Sequence, residues 1–146
     1  MSASRKWLCA VYALIALLAL VGTWSHNVAY LDLGFIGANQ KFWLETLVTP
    51  ASTSITVDLL LFGCAVNLWM VLEARRIGLR WVWLYVLAGA LIAISAAFPA
   101  YMIHREIVLA QRGETSAPLG LRGGDIAGLL LLGALCTAFA LATLPH

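Results

Sequence analysis

Four long stretches of this chain are almost free of charge, and they constrain its fold more than any other feature. Trp7–Leu31, Trp81–Ile103 and Ile126–Leu144 carry no charged residue, and Ala51–Leu72 carries only Asp58. A helix that crosses a bilayer uses about 20 apolar residues, so four crossings consume most of the 146 residues and leave too little for a separate soluble domain. The composition agrees. Hydrophobic residues make up 62% and charged residues 11%, against about 45–50% and about 25% in a soluble domain. That balance argues against a secreted disulfide scaffold, a disordered chain and an ordinary cytosolic enzyme domain. A net charge of +2 without a clustered basic face argues against a nucleic-acid partner.

The expected architecture is an all-α integral membrane protein, one domain over 1–146. Four transmembrane helices, at about 7–24, 51–73, 81–103 and 125–144, form an up-down bundle, with a short interfacial helix at about 39–48 in the first outer loop. Local signals support these segments. Arg5 and Lys6 precede the first run, which also fits a secretory signal, but the run is long and no small-x-small cleavage site follows it. Pro50 sits where a helix accepts proline, at its first turn, and Ser52, Thr53 and Ser54 can satisfy free amides there. Gly78 is a natural helix stop after Arg75 and Arg76. Trp81, Trp83 and Tyr85 at one end of the third run and Tyr101 at the other read as aromatic belts, and Pro99 should bend that helix near its outer end. In NQKFWLETLV, Trp43, Leu44, Leu47 and Val48 share a helical face opposite Lys41 and Glu45, as in a helix lying in the headgroup plane.

Four crossings place both termini and the turn at 73–80 on one side, with Arg5, Lys6, Arg75, Arg76 and Arg80; Lys41, Arg105, Arg112 and Arg122 fall on the other. The charges flanking the first helix and the short turn weigh most in the positive-inside rule. The expectation is therefore a bacterial cytoplasmic (inner) membrane protein with both termini in the cytoplasm. Arg75, Arg76 and Arg80 would then meet lipid headgroups, as a topology signal.

Asp58 is the one acid inside an apolar run, and an intramembrane carboxylate is a functional candidate by default. Its possible partners at that level are His26, His104, Tyr101, Arg105 and Trp24. The plainer alternative is a hydrogen-bonded Asp that anchors its helix. Asn67, nine residues on, faces roughly the opposite way, which suggests a second neighbour, another subunit or helix pair. Gly89, Ala93 and Ala97, then Ala134, Ala138 and Ala142, recur every four residues, and Gly124 and Gly128 form a GxxxG; such stripes let helices approach closely. Cys9, Cys64 and Cys136 lack metal or redox spacing, and no metal site or cofactor is expected. Paired loop cysteines, interior histidines, a carboxylate deep in the first helix, a nucleophile elbow, a phosphate loop and a metalloprotease motif are all missing. No enzyme activity is expected.

SITVDLLLFG (54–63), WMVLEARRIGLRWVWLYVL (69–87) and ISAAFPAYMIHRE (94–106) together resemble an uncharacterised family of small bacterial multi-pass membrane proteins catalogued as a domain of unknown function. The resemblance spans about Phe42–Glu106, with a looser likeness before it, and leaves the last helix as an addition. It implies a membrane topology and draws attention to Asp58, Glu73, Arg75, Arg76 and Pro99. The leading expectation is a non-catalytic accessory or structural subunit whose partners are the lipid bilayer and other membrane subunits or itself. The alternative is a small transporter or ligand-binding protein using Asp58.

Overall fold

Capping chemistry decides where the long helices begin and end. A computed structural model of the chain describes residues 1–114 and 122–144. The Ser2 side chain accepts the Arg5 amide, so α1 (Ala3–Asn27) starts ahead of the basic pair and carries Arg5 and Lys6 on its first turns. A 3-10 turn, Val28–Leu33, then leads to Gly34, whose φ of +68° only glycine adopts easily. The chain doubles back there into α2 (Gly34–Glu45), which packs on the turn through the Tyr30–Glu45 hydrogen bond and an edge-on Tyr30–Phe42 contact. Lys41 and Glu45 pair at 3.7 Å on its polar side, while Trp43 and Leu44 stay exposed. This helix begins earlier than expected and ends before Leu47 and Val48, which lie in a turn.

The next helix, α3 (Pro50–Arg76), opens with a reciprocal cap: the Ser52 amide donates to the Thr49 hydroxyl oxygen, and the Thr49 amide donates to that of Ser52. It closes at Gly78 (φ +64°), where the Gly78 amide donates to the Arg75 carbonyl and the Leu79 amide to the Ala74 carbonyl at 2.8 Å. That paired closure holds the following segment tightly against the helix end.

Each of the four apolar stretches is helical, and each is long and apolar enough to cross a membrane. The third, however, is not one straight rod. It consists of α4 (Val82–Ala88), a π-helical turn at Gly89–Ala93 and α5 (Ile94–Gln111). Tyr85 and Tyr101 would lie ~24 Å apart on a continuous helix, yet their ring centroids are 5.7 Å apart. The Tyr85 hydroxyl and His104 Nδ1 are 2.9 Å apart. The two limbs therefore form a helical hairpin. Gly89 sits at the crossing: a Cβ there would come 2.8 Å from Ile94 Cδ1 and 3.8 Å from Ala97 Cβ. Gly89 and Ala97 approach because the chain turns back between them, and not because they share one face.

The direction of each limb follows from its partners. Trp69 meets Phe98 and Tyr101, and Glu73 meets Arg105, so α5 runs parallel to α3. Arg5 meets Glu106, so α1 runs antiparallel to α5. The hairpin tip, ahead of Phe98, lies ~18 Å from the Arg76 end of α3, about halfway through a ~30 Å hydrocarbon core. The last helix, α6 (Gly123–Ala142), places Ala140 against Gly22 near the far end of α1. The closely packed core, including Met70, Ala74, Ile77, Val82 and Tyr101, occupies the half of the bundle at the Arg5 end. The other half of α3 is largely uncovered, with Ile55, Leu61 and Phe62 at least 60% exposed.

Several expectations change accordingly. The segment 81–103 is two helices, and the break falls at Gly89–Ala93 while Pro99 stays inside α5. His104–Gln111 is helix and not outer loop; Gly120 and its neighbours at 115–121, in the expected second outer loop, lie outside the described residues. Arg105, expected across the membrane from Glu73, touches it. The start of α1 and the end of α6 lie at opposite ends of the bundle, whereas four full crossings would bring the termini together. The physical reason is charge pairing. A straight helix over 82–111 would carry Arg105 and Glu106 to the far end, away from Glu73 and Arg5.

Candidate functional site

Two polar features stand out among the described residues of this apolar chain: one a largely buried ion cluster, the other an exposed carboxylate without a partner there. The first lies at the Arg5 end, where α1, α3 and α5 converge. Arg105 donates through Nε to Glu73 Oε1 and through Nη1 to Glu106 Oε1, both at 2.7 Å. Arg76 grips Glu73 with two bonds, Nε to Oε2 at 2.6 Å and Nη2 to Oε1 at 2.7 Å. Arg5 Nε approaches Glu106 Oε2 at 3.3 Å. The side chains of Arg5, Glu73 and Glu106 are less than 10% exposed, and that of Arg105 is 20% exposed. Beneath them the buried Tyr101 hydroxyl donates to the Met70 carbonyl at 3.1 Å, and Arg105 stands 6.0 Å from the Trp69 ring centroid. Glu73 takes three guanidinium hydrogen bonds and Glu106 one together with the Arg5 ion contact, so chemically the cluster is a clamp joining three helices. Its depth suits this role: Glu73 is three residues from the end of α3, ~5 Å along the axis, at the edge of the hydrocarbon.

The sequence suggests the Glu73–Arg76 pair through its three-residue spacing. The long-range members, Arg5, Arg105 and Glu106, have no such spacing. The signal that could find them is stoichiometric: two acids and three arginines within or beside apolar runs need partners, and the hairpin supplies them.

The second feature is Asp58. It lies on the exposed side of α3, within the apolar run, and no described side chain pairs with it. With α3 ~40 Å long and a hydrocarbon core of ~30 Å, Asp58 sits ~7 Å inside the apolar layer at the end away from Arg5. Two of its expected companions, Tyr101 and His104, are held elsewhere. Tyr101 bonds to Met70, ~18 Å further along α3, and His104 is on the α4–α5 hairpin with Tyr85. His26, at the end of α1, is exposed. Asn67 lies on α3 with its Oδ1 buried and without a hydrogen-bond partner among the described residues.

The remaining candidates are on surfaces. Gly124 and Gly128 have open space where a Cβ would stand, and Ala134 and Ala138 are exposed, so the small-residue face of α6 is uncovered. Arg75 and Arg80 are exposed at the Arg5 end, while Arg76 is engaged by Glu73. An open groove between the hairpin limbs is lined by Trp81, Leu84, Tyr85, Ala97, Ala100 and His104. Among the described residues no three His, Cys, Asp or Glu side chains converge as metal ligands would.

No curated protein matches this chain, and no solved structure does. One family model matches residues 11–107, from within α1 to Glu106 and Ile107 in α5; the match includes Glu73, Arg76, Arg105 and Glu106 of the ion cluster but neither Arg5 nor α6. The match covers well over half of the chain, and the protein belongs to the family described as "Protein of unknown function DUF2834".

Proposed function

We propose that this protein is a non-catalytic structural subunit of a membrane assembly, docked to its neighbour through the outer half of α3. One observation carries the reading: Asp58 is exposed on an apolar helix face long enough to span a membrane, with no partner among the described residues. A carboxylate at that depth is costly in lipid and is normally satisfied by protein. The surrounding face, with Ile55, Leu61 and Phe62 exposed, is apolar enough to lie against another helix. A second copy of this chain and a different membrane protein are the two partners open to test.

The same reading orients the molecule in a bacterial inner membrane with the Arg5 end in the cytoplasm. Arg5, Lys6, Arg75, Arg76, Arg80, Arg105 and Arg112 gather at that end, and Arg122 heads α6 a short link after Gln111; Lys41 alone is at the other end. Eight cations against one is a far stronger positive-inside signal than five against four.

The test uses the full chain extracted in mild detergent. Wild type should migrate as an assembly larger than a monomer. Asp58→Leu, close in size and at ease in lipid, should remove one intramembrane polar contact worth ~1–2 kcal/mol and weaken association roughly 5- to 30-fold. Its thermal unfolding midpoint should not fall, because the ion cluster is untouched. A wild-type monomer, or association unchanged in the variant, rejects the reading.

A further inference from the structure

Charge is distributed unequally between the two ends of the bundle. The Arg5 end holds eight cations and four acids, and the other end holds Lys41 with Asp32, Glu45 and Asp58. The acids at the Arg5 end are largely committed. Glu73 and Glu106 are both paired within the ion cluster. Asp125 accepts the Arg122 backbone amide at 2.8 Å as part of the α6 cap. Glu114 is the remaining acid, exposed at the end of α5.

Six of the eight cations fall into two groups, apart from Lys6 near the start of α1 and Arg122 at the head of α6. Arg5, Arg76 and Arg105 are engaged by Glu73 and Glu106. Arg75, Arg80 and Arg112 are exposed and have no ion pair among the described residues. Those three share one rim. Arg75 and Arg80 flank the Gly78 turn in sequence, and Arg112 lies over that turn: a Cβ on Gly78 would come 2.6 Å from Arg112 Nη2. Trp81 and Trp83 are 65% and 55% exposed beside the rim, and Trp7 is 72% exposed near the start of α1. Exposed indoles at a helix end occupy the headgroup layer, which sets the depth of the arginines. Groups at that depth that complement three unpaired guanidinium ions are phosphates.

We propose that Arg75, Arg80 and Arg112 form a seat for anionic phospholipid headgroups in the leaflet at the Arg5 end. Arg76, which the sequence alone would include in this seat, is held by Glu73, and Arg112 takes its place. The seat is separate from the Asp58 face and does not depend on what that face binds.

The experiment places the full chain in nanodiscs of equal phosphatidylglycerol and phosphatidylcholine and measures, by native mass spectrometry, which lipid stays bound on release. Wild type should retain phosphatidylglycerol in clear excess. Near a membrane surface each arginine contributes a factor of about five in affinity for anionic lipid, so Arg75→Gln/Arg80→Gln/Arg112→Gln should lose about a hundredfold. The triple lysine variant keeps the charge and should keep most of the preference. Raising salt to 1 M should weaken the wild-type preference, a control that needs no variant. Equal retention of the two lipids by wild type, or an undiminished preference in the folded glutamine variant, overturns the proposal.

Discussion

Glu73→Gln should destabilise this protein more than any other conservative single change. Glu73 receives three hydrogen bonds from two arginines, and its side chain is 9% exposed. Removing its charge leaves Arg105 partly buried, with Glu106 alone to balance both Arg105 and Arg5. Breaking a buried ionic network at one member costs ~3–5 kcal/mol, chiefly because a desolvated charge is left without compensation. The thermal unfolding midpoint in detergent should fall by about 10 °C, and the amount of protein in the membrane should fall with it. Glu73→Leu combined with Arg105→Leu removes both partners and should recover much of the loss. Arg76, whose side chain is 59% exposed, can then turn to water, and Glu106 retains Arg5. A midpoint within about 1 °C of wild type for Glu73→Gln would mean that the cluster does not hold the three helices together.

The second large effect is all-or-none. A reporter active only outside the cytoplasm, fused after His146, should be active, and a fluorescent protein that matures only in the cytoplasm should be dark there. Fusions after Glu114 should behave in the opposite way. The expectation follows from contacts at the two ends of the bundle. Arg5 of α1 and Glu106 of α5 meet at one end, while Gly22 and Ala140 meet near the other. A straight crossing over 82–111 predicts the reverse at both fusion points, so the two topologies share no outcome. Orientation itself rests on the eight cations at the Arg5 end.

Much of this architecture is legible in the residues. The four charge-free runs, the Pro50 entry, the Gly78 stop and the Lys41–Glu45 and Glu73–Arg76 pairs follow from local physics, because helix caps and i,i+3 or i,i+4 neighbours are set within a few residues. The hairpin is not local. Twenty-three uncharged residues suit a straight crossing and a folded one equally well, since lipid and protein interior are similarly apolar. What separates the two is the demand of distant charges for each other: Arg105 with Glu73, and Glu106 with Arg5. One hint lies in the sequence: a straight crossing divides the basic residues almost evenly between the two sides. Asp58 stands out in the sequence, but a companion for it cannot be read there. Among the described residues it has none, and its role is therefore argued from the face it occupies.

The folded-back third stretch underlies the charge asymmetry, the ion cluster and the exposed half of α3, and one measurement addresses it directly. With Cys9, Cys64 and Cys136 replaced by alanine, Gly89→Cys and Ala97→Cys should close a disulfide in native membranes under mild oxidation. The Cβ positions at 89 and 97 are 3.8 Å apart across the hairpin, matching the mean Cβ separation of ~3.8 Å in disulfides. On a straight helix the same residues are ~12 Å apart and cannot be bridged. Formation of the intramolecular disulfide is the predicted result; two thiols that both remain open to alkylation after oxidation would contradict the account.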